Sequence, residues 1–568
     1  MDQIQQLISQ HINIWTSANS EKKSSRGRSS SNAEKVYGIE KLRDLILNLA
    51  IHGNLVPQYT NEEPASELLK RIKSEQIKLL KGKKQKPLRS ISNEETPFKL
   101  PRGWSWVRNS QLFQLRKGKI PKNLNENEKG LPYLDIEALD RNVIRRYSED
   151  NMCPTSKETD ILVVCDGSRS GLILNGKCGI IGSTLSIIDT PIFIQPFIKL
   201  IFKQGFKDFN TSMKGAAIPH LDTQKLLQNI TALPPLPEQL RIISKVDELM
   251  DLCDQLEQQH INSENAQEKL VKVLLDTLTQ SRDAEEFENS WQRIANHFDI
   301  LFTTEDSVDQ LKQNLLQLAV MGKLVSQDPN DEPASELVKR IQASKTKLIA
   351  EGKLKQEKVI PQIAEDEKPF KLPEGWEWTT LKTVAVINPR NNAADETLAS
   401  FVPMTLIGNE FNEKHQDEKR IWKDIKQGFT HFAENDIGVA KITPCFENSK
   451  ACVFENLENG LGAGTTELHV VRPIINTLNP RYILAYLKTP RFLELGESKM
   501  TGTAGQKRLP KDFVEMNPFP LPPLHEQHRI VTKLNELMLL CDQLKILIQQ
   551  ASAKQKQIAD VLVSQALH

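Results

Sequence analysis

Hydrophobic positions along the chain alternate between two textures, and the alternation occurs twice. After Pro234-Pro235, the residues Ile242, Val246, Leu249, Cys253 and Leu256 step by four and three; after Pro522-Pro523, Ile530, Leu534, Leu537, Cys541 and Leu544 do the same. That spacing predicts a heptad seam on a helix. The paired prolines bar either helix from running backwards, so each begins near Leu236 or Leu524 and continues for about 40 residues, on the order of 60 Å. The second copy carries its seam on through Ile548, Ile558 and Leu562. The first falters at His260, Ser263 and Gln267 before Leu270 and Leu274 resume it. Leu42, Leu45, Ile46, Leu49 and Ala50 predict a helix stopped at Gly53, with a second helix opening at Pro64, and 311–341 predicts the same pair. Between the helical stretches lie β-rich runs such as ILVVC (161–165), GIIGSTLSII (179–188) and FIKLIF (197–202), cut by Gly, Asn-Gly and Asp-Gly turns. These predict compact α+β or mostly β domains.

Self-similarity organises the whole chain. NEEPASELLKRI (Asn61 to Ile72) returns 269 positions later as NDEPASELVKRI, and LNLAIHGNLV (47–56) as LQLAVMGKLV (316–325). PFKLPRGWSW (Pro97 to Trp106) returns after 272 positions as PFKLPEGWEW (Pro369 to Trp378). LPPLPEQLRIISKVDELMDLCDQL (Leu233 to Leu256) returns after 288 as LPPLHEQHRIVTKLNELMLLCDQL (Leu521 to Leu544). Residues 107–232 and 379–520, which lie inside these frames, show no alignment. Two similar frames hold two dissimilar inserts, the second longer by about 16 residues.

Length adds that 568 residues exceed one core and give a prior of three to five domains. Charge removes a global electrostatic attraction to nucleic acid or membrane, because 74 Lys+Arg nearly cancel 73 Asp+Glu. Any basic surface is therefore local. Seven cysteines without a C-x-x-C pair argue against a disulfide framework or zinc knuckle. The start MDQIQQLISQHINIW lacks the basic and apolar regions of a signal peptide, and no window nears 20 apolar residues, so a cytoplasmic protein is expected. The Ser-rich stretch 20–35 is expected to be a disordered linker.

Motifs associated with catalysis all fail on inspection. Gly171 to Cys178 imitates a phosphate loop, but Cys178 stands where a Ser or Thr should ligate magnesium, and the segment reads as a β-turn. Asn517-Pro518-Phe519-Pro520 resembles the adenine-methyltransferase motif N-P-P-[YF] with its residues in the wrong order, and no glycine-rich cofactor loop precedes it. His525 and His528 are three apart rather than four, and the first copy has Pro237 and Leu240 there, so this is a helix N-terminus with Glu526 favouring its dipole. Of Trp104/Trp106 and Trp376/Trp378, spaced at strand period, one ring of each pair is expected to face the core. Cys253 and Cys541 read as buried hydrophobes. No catalytic residue, cofactor site or metal site is expected.

Basic and amide side chains do gather within the inserts. In the first these are Arg116, Lys117, Lys119 and Lys122, then Ser168, Arg169 and Ser170, then Lys214 and His220. In the second they are Arg390, Asn391 and Asn392, then Lys441 and Lys450, then Lys499, Gln506, Lys507 and Arg508. Such residues suit phosphate contacts and base-edge hydrogen bonds, Arg and Lys with guanine, Asn and Gln with adenine. The run Lys81 to Arg89 reads instead as a helix end or linker.

PFKLPxGWxW opening each insert, P-PL-x-EQ-x-RI-x-x-K and a heptad helix closing it, and AKITPCFENSK (Ala440 to Lys450) together resemble the specificity subunits of type I restriction-modification enzymes, in their longer form with a duplicated N-terminal helical block. The resemblance covers nearly the whole chain. It implies an α+β fold in which two globular target recognition domains are joined by long antiparallel coiled-coil-like helices, with an internal pseudo-two-fold repeat and the C-terminal helix packed near the N-terminal block. The implied domains are 1–36 (helix and polar linker), 37–96 (helical frame), 97–235 (first recognition domain), 236–368 (central helical frame), 369–523 (second recognition domain) and 524–568 (C-terminal heptad helix). It further implies a non-catalytic subunit whose two domains each read half of a bipartite double-stranded DNA target. Rod length would set the unread spacer, with half-sites near one duplex turn, about 34 Å, apart. Partners would be two modification subunits carrying S-adenosylmethionine and restriction subunits using ATP and magnesium. The competing reading is a coiled-coil scaffold presenting two different domains to proteins.

Overall fold

The computed structural model describes residues 3–17, 36–79, 90–211, 220–282, 284–355, 360–474, 476–503 and 505–567. The Ser-rich stretch 20–35, the basic run 81–89 and Lys214 lie outside the described residues. The chain forms two compact units, Met1–Asn262 with Ser552–His568, and Ser263–Ala551.

In the first unit the frame is built as its periodicity requires. Helix Tyr37–His52 buries Leu42, Leu45, Ile46, Leu49 and Ala50, and Gly53 ends it in the left-handed conformation (φ 78°) with its N–H on the Leu49 carbonyl. Helix Ala65–Leu79 follows. In the second unit, helix Glu305–Val320 and helix Ala334–Ala350 repeat the arrangement, with Pro333 just outside the second helix at its N-cap rather than inside its first turn.

The long helices span Leu236–Gln280 and Leu524–Leu567, 45 and 44 residues. Ile242, Val246, Leu249, Cys253 and Leu256 are all buried, as are Ile530, Leu534 and Cys541, while Leu537 and Leu544 are half-buried. These residues pack into the core of their own frame. Further along, the seam shifts by one residue. Val271, Leu275 and Leu278 are buried while Leu270 is exposed, and in the second helix Ala559 is buried while Ile558 is exposed. An α-helix drifts by about 20° per heptad. Four heptads separate Ile242 from Leu270 and Ile530 from Ile558, so the drift nears the 100° between neighbouring residues and brings the next position inward. The C-terminal end of the second long helix belongs to the first unit, where Tyr37 donates to Asp560 (3.0 Å) and Lys41 pairs with it (2.8 Å).

The first insert holds β1 (Ser105–Arg108), β2 (Gln114–Lys117), β3 (Leu131–Leu134), β4 (Tyr147–Ser148), β5 (Thr155–Ser156), β6 (Ile161–Val164), β7 (Ile173–Asn175), β8 (Gly179–Ile181), β9 (Leu185–Asp189) and β10 (Ile230–Leu233). The second holds β11 (Glu377–Thr380), β12 (Ala385–Ile387), β13 (Leu398–Val402), β14 (Glu418–Ile421), β15 (Thr430–Ala433), β16 (Ile437–Ala440), β17 (Ala451–Val453), β18 (Leu461–Gly464), β19 (Leu468–Pro473) and β20 (Pro518–Leu521). Sheet orders are β2-β9-β6-β7 and β4-β3-β8-β5 in the first, β12-β19-β16-β17 and β14-β13-β18-β15 in the second. They are the same strand for strand, down to the parallel pairs β3 with β8 and β13 with β18. The pairs β1 with β10 and β11 with β20 close each insert at its base.

The inserts are therefore dissimilar in sequence and alike in fold. Two local expectations are corrected. FIKLIF lies in helix Gln195–Thr211, because a short apolar run buried on most sides carries no periodicity to tell strand from helix. The segment Gly171 to Cys178 contains strand β7 rather than being all turn.

Candidate nucleic-acid interface

Each insert is fixed to its frame by the same buried contact. Trp104 donates its indole N–H to Glu238 (3.0 Å), and Trp376 donates to Glu526 (3.0 Å). Both carboxylates occupy the third position of a long helix, where burial raises their pKa although the indole hydrogen bond opposes it. Trp106 and Trp378 are half-buried against Phe98 and Phe370. The tryptophans thus seat the domain on the helix start. His528 Nδ1 lies 3.0 Å from the Asn479 amide nitrogen, and among the described residues no group of three or more His, Cys, Asp and Glu is placed to hold a metal.

Among the described residues, Arg116 and Lys117 lie within β2 and Lys499 ends helix Pro490–Lys499, while the other basic and amide residues of the two inserts fall on three topologically equivalent connections. The first is the end of β2 with the residues after it, or the residues after β12. Arg116 pairs with Asp189 (3.0 and 2.9 Å), Lys117 lies 3.6 Å from Asp166, and Lys119 and Lys122 are exposed. After β12, Arg390 donates to the Phe429 carbonyl (3.2 Å), Asn391 donates to the Phe432 carbonyl (2.6 Å) and accepts from Arg472 (2.8 Å), and Asn392 is exposed.

The second connection joins β6 to β7 or β16 to β17. Ser168 is exposed, and Arg169 meets Asp140 through both terminal nitrogens (2.8 and 3.1 Å), which holds the Asp140 carboxyl below its ordinary pKa. Ser170 is fully buried and donates to the Gly167 carbonyl (2.8 Å). Lys441 is half-buried, and Lys450 donates to the Met404 carbonyl (3.0 Å). Ser170, Asn391 and Lys450 thus spend polar groups on their own fold, as tight turns require.

The third connection precedes the last helix of each insert. His220 Nδ1 lies 2.7 Å from Asp166. Lys499, Gln506 and Lys507 are exposed, and Arg508 meets Glu467 through Nε and Nη2 (both 2.9 Å at closest), lowering the glutamate's pKa.

Sequence reasoning missed the carboxylates behind these cations, Asp140, Asp166, Asp189 and Glu467, since nothing local ties an acid to a base tens of residues away. It also missed Arg146 over the Tyr133 ring (4.9 Å) and Arg420 over Phe401 (3.8 Å), stacked on corresponding strands β3 and β13.

One topology presented twice, each copy held in a repeated helical frame, defines a duplicated two-insert protein. The model of the type I restriction modification DNA specificity domain matches residues 101–264 and 373–552, bracketing both inserts. The chain is 37% identical over 603 aligned residues to the type I restriction enzyme EcoAI specificity subunit of Escherichia coli and 35% over 602 to the EcoEI specificity subunit of the same organism, covering 100% of both chains in each case. A chain solved in work on assembly and conformational transition of the type I R-M system is 18% identical, with 83% of this chain and 99% of that one covered at a TM-score of 0.45. The chain belongs to the family of type I restriction-modification DNA specificity proteins.

Proposed function

We propose that each insert reads one half of a bipartite DNA target and that the chain does no chemistry itself. The observation that carries this is the recurrence of one insert topology with basic side chains at or beside the same three connections. That arrangement suits two readers of different sequences better than a scaffold for proteins, because exposed Lys, Arg and Asn offer donors for phosphates and base edges and little apolar contact area. The helical frames set the spacer and dock two modification subunits. S-adenosylmethionine, ATP and magnesium would reside on the modification and restriction subunits, not on this chain. No helix among the described residues is long and apolar enough to cross a membrane, which agrees with a cytoplasmic site of action on DNA.

With a net charge of +1, the chain alone would bind DNA weakly and with strong salt dependence. Specific nanomolar binding by the isolated chain would overturn that part. The main test is adenine-methylation mapping by modification-sensitive sequencing in cells expressing this chain with its modification subunit, beside cells whose chain lacks residues 107–232. A split motif that loses or changes one half on deletion supports the two-reader reading. Absence of any motif from an assembled, active complex returns it to the protein scaffold.

A further inference from the structure

His220 and Arg508 occupy one and the same place in the two inserts. The residue after each, Leu221 or Leu509, donates its backbone N–H to the residue just past β6 or β16, namely Cys165 (2.8 Å) or Lys441 (2.7 Å). His220 forms an isolated bridge with Asp166, and Arg508 forms one with Ile442. Each basic side chain is backed by a carboxylate, yet the carboxylates come from different positions. Asp166 is the bridge partner itself, whereas Glu467 stands immediately before β19. The acids are the more shielded members: His220 and Arg508 side chains are 55% and 48% exposed, Asp166 and Glu467 only 18% and 24%. The same arrangement built with a different acid in each insert indicates that a basic side chain held in fixed orientation is required there.

The geometry of the second pair states what it offers. Glu467 takes Arg508 from the side, through Nε and Nη2, and leaves Nη1 and the outer hydrogen of Nη2 without partners among the described residues. That free pair of N–H groups is the fork that meets O6 and N7 of guanine in the major groove. Arg169 is the contrast, since Asp140 occupies both of its terminal nitrogens. In the first insert Asp166 engages Nδ1 of the half-exposed His220 side chain and leaves Nε2 as its remaining hydrogen-bonding atom.

Resting on the two-reader function, we infer that Arg508 reads a guanine of the second half-site through its end fork, that His220 reads one base of the first from the matching place, and that Glu467 and Asp166 are positioning residues that fix their orientation. One reader offers two donors and the other a single ring nitrogen, so the equivalent position is decoded differently in the two halves.

Methylation mapping of the assembled complex with the modification subunit tests this, using the host genome as the substrate. A wild-type map with no split motif would defeat the two-reader function itself. Given a split motif, Arg508→Ala should make one G position of the second half-site degenerate, with an expected loss of about 10- to 100-fold in preference at that base and the first half-site unchanged. Glu467→Gln should relax the same position more weakly, and Glu467→Asp should restore it, an ordering that a purely structural role would not give. His220→Ala and Asp166→Asn should act likewise on one position of the first half-site. Unchanged half-sites in the Arg508→Ala complex would overturn the inference while leaving two-part reading intact. Uniform loss of methylation at all sites from an assembled complex would overturn it too, because a single reader relaxes a single position.

Discussion

The two inserts share every strand neighbour and almost no residue pattern, whereas the frames around them share both. A frame helix must fit another helix and a tryptophan at fixed positions, so Trp104 with Glu238 and Trp376 with Glu526 recur atom for atom. A strand in an insert must only bury one or both faces, and many apolar residues meet that need at similar volume. The sheets therefore hold while their connections are free to differ, and those connections carry the exposed cations.

The largest expected effect comes from making the inserts identical. Replacing residues 381–517 by 109–229 keeps β11 and β20, and because those strands close the second insert as β1 and β10 close the first, the chimera should fold and, assembled with the modification subunit, direct methylation to a symmetric target bearing the first half-site twice. Methylation mapping and an unfolding curve check this; a chimera that does not fold would show that the inserts are not interchangeable.

The helix phase is next. Leu275→Ala should destabilise the second unit by about 2–5 kcal/mol, while Leu270→Ala, five residues upstream and exposed, should stay within about 0.5 kcal/mol. Urea unfolding of the two variants separates the observed phase from a strict heptad.

A difference between the inserts appears at high pH. Lys488 is buried in the second, donates to the Asn409 and Ser449 carbonyls (2.8 and 2.6 Å), and has its pKa lowered to about 8 by burial, whereas no lysine of the first insert is buried among the described residues. Its folded pKa lies below the ordinary 10.5, so its contribution to stability is present above pH 10.5 and lost as pH falls towards 8. Unfolding measured from pH 8 to 10.5 should show a rise of at most about 3 kcal/mol that Lys488→Met removes.

Trp104→Phe and Trp376→Phe each strip a buried carboxylate of its indole donor and should cost about 1–3 kcal/mol, equally in both units. Unequal losses would break the equivalence of the frames. The smallest effect is chemical: at pH 8 exposed Cys178 should react with a maleimide first, while Cys253 and Cys541, their thiols pushed to about 11 by burial, should label only on unfolding and at matching rates.

Periodicity and repetition made the frame legible. Both long helices start at the residue after the paired prolines, and the Gly53 stop is where the apolar face ends. Legibility failed where the signal was short or non-local. FIKLIF gave no period, and Leu270 and Ile558 were placed inward by a heptad that the helix does not keep over four repeats.

The sequence by itself determined the duplication and the helices, because these depend on residues close together in the chain. Only the tertiary structure decided that the unlike inserts share one topology and that His220 and Arg508 correspond, each with a carboxylate behind it. Strand order and ion pairing join residues such as Arg116 and Asp189, or Arg508 and Glu467, that are 73 and 41 positions apart. No local pattern records such a contact, since it exists only once burial has brought the strands together.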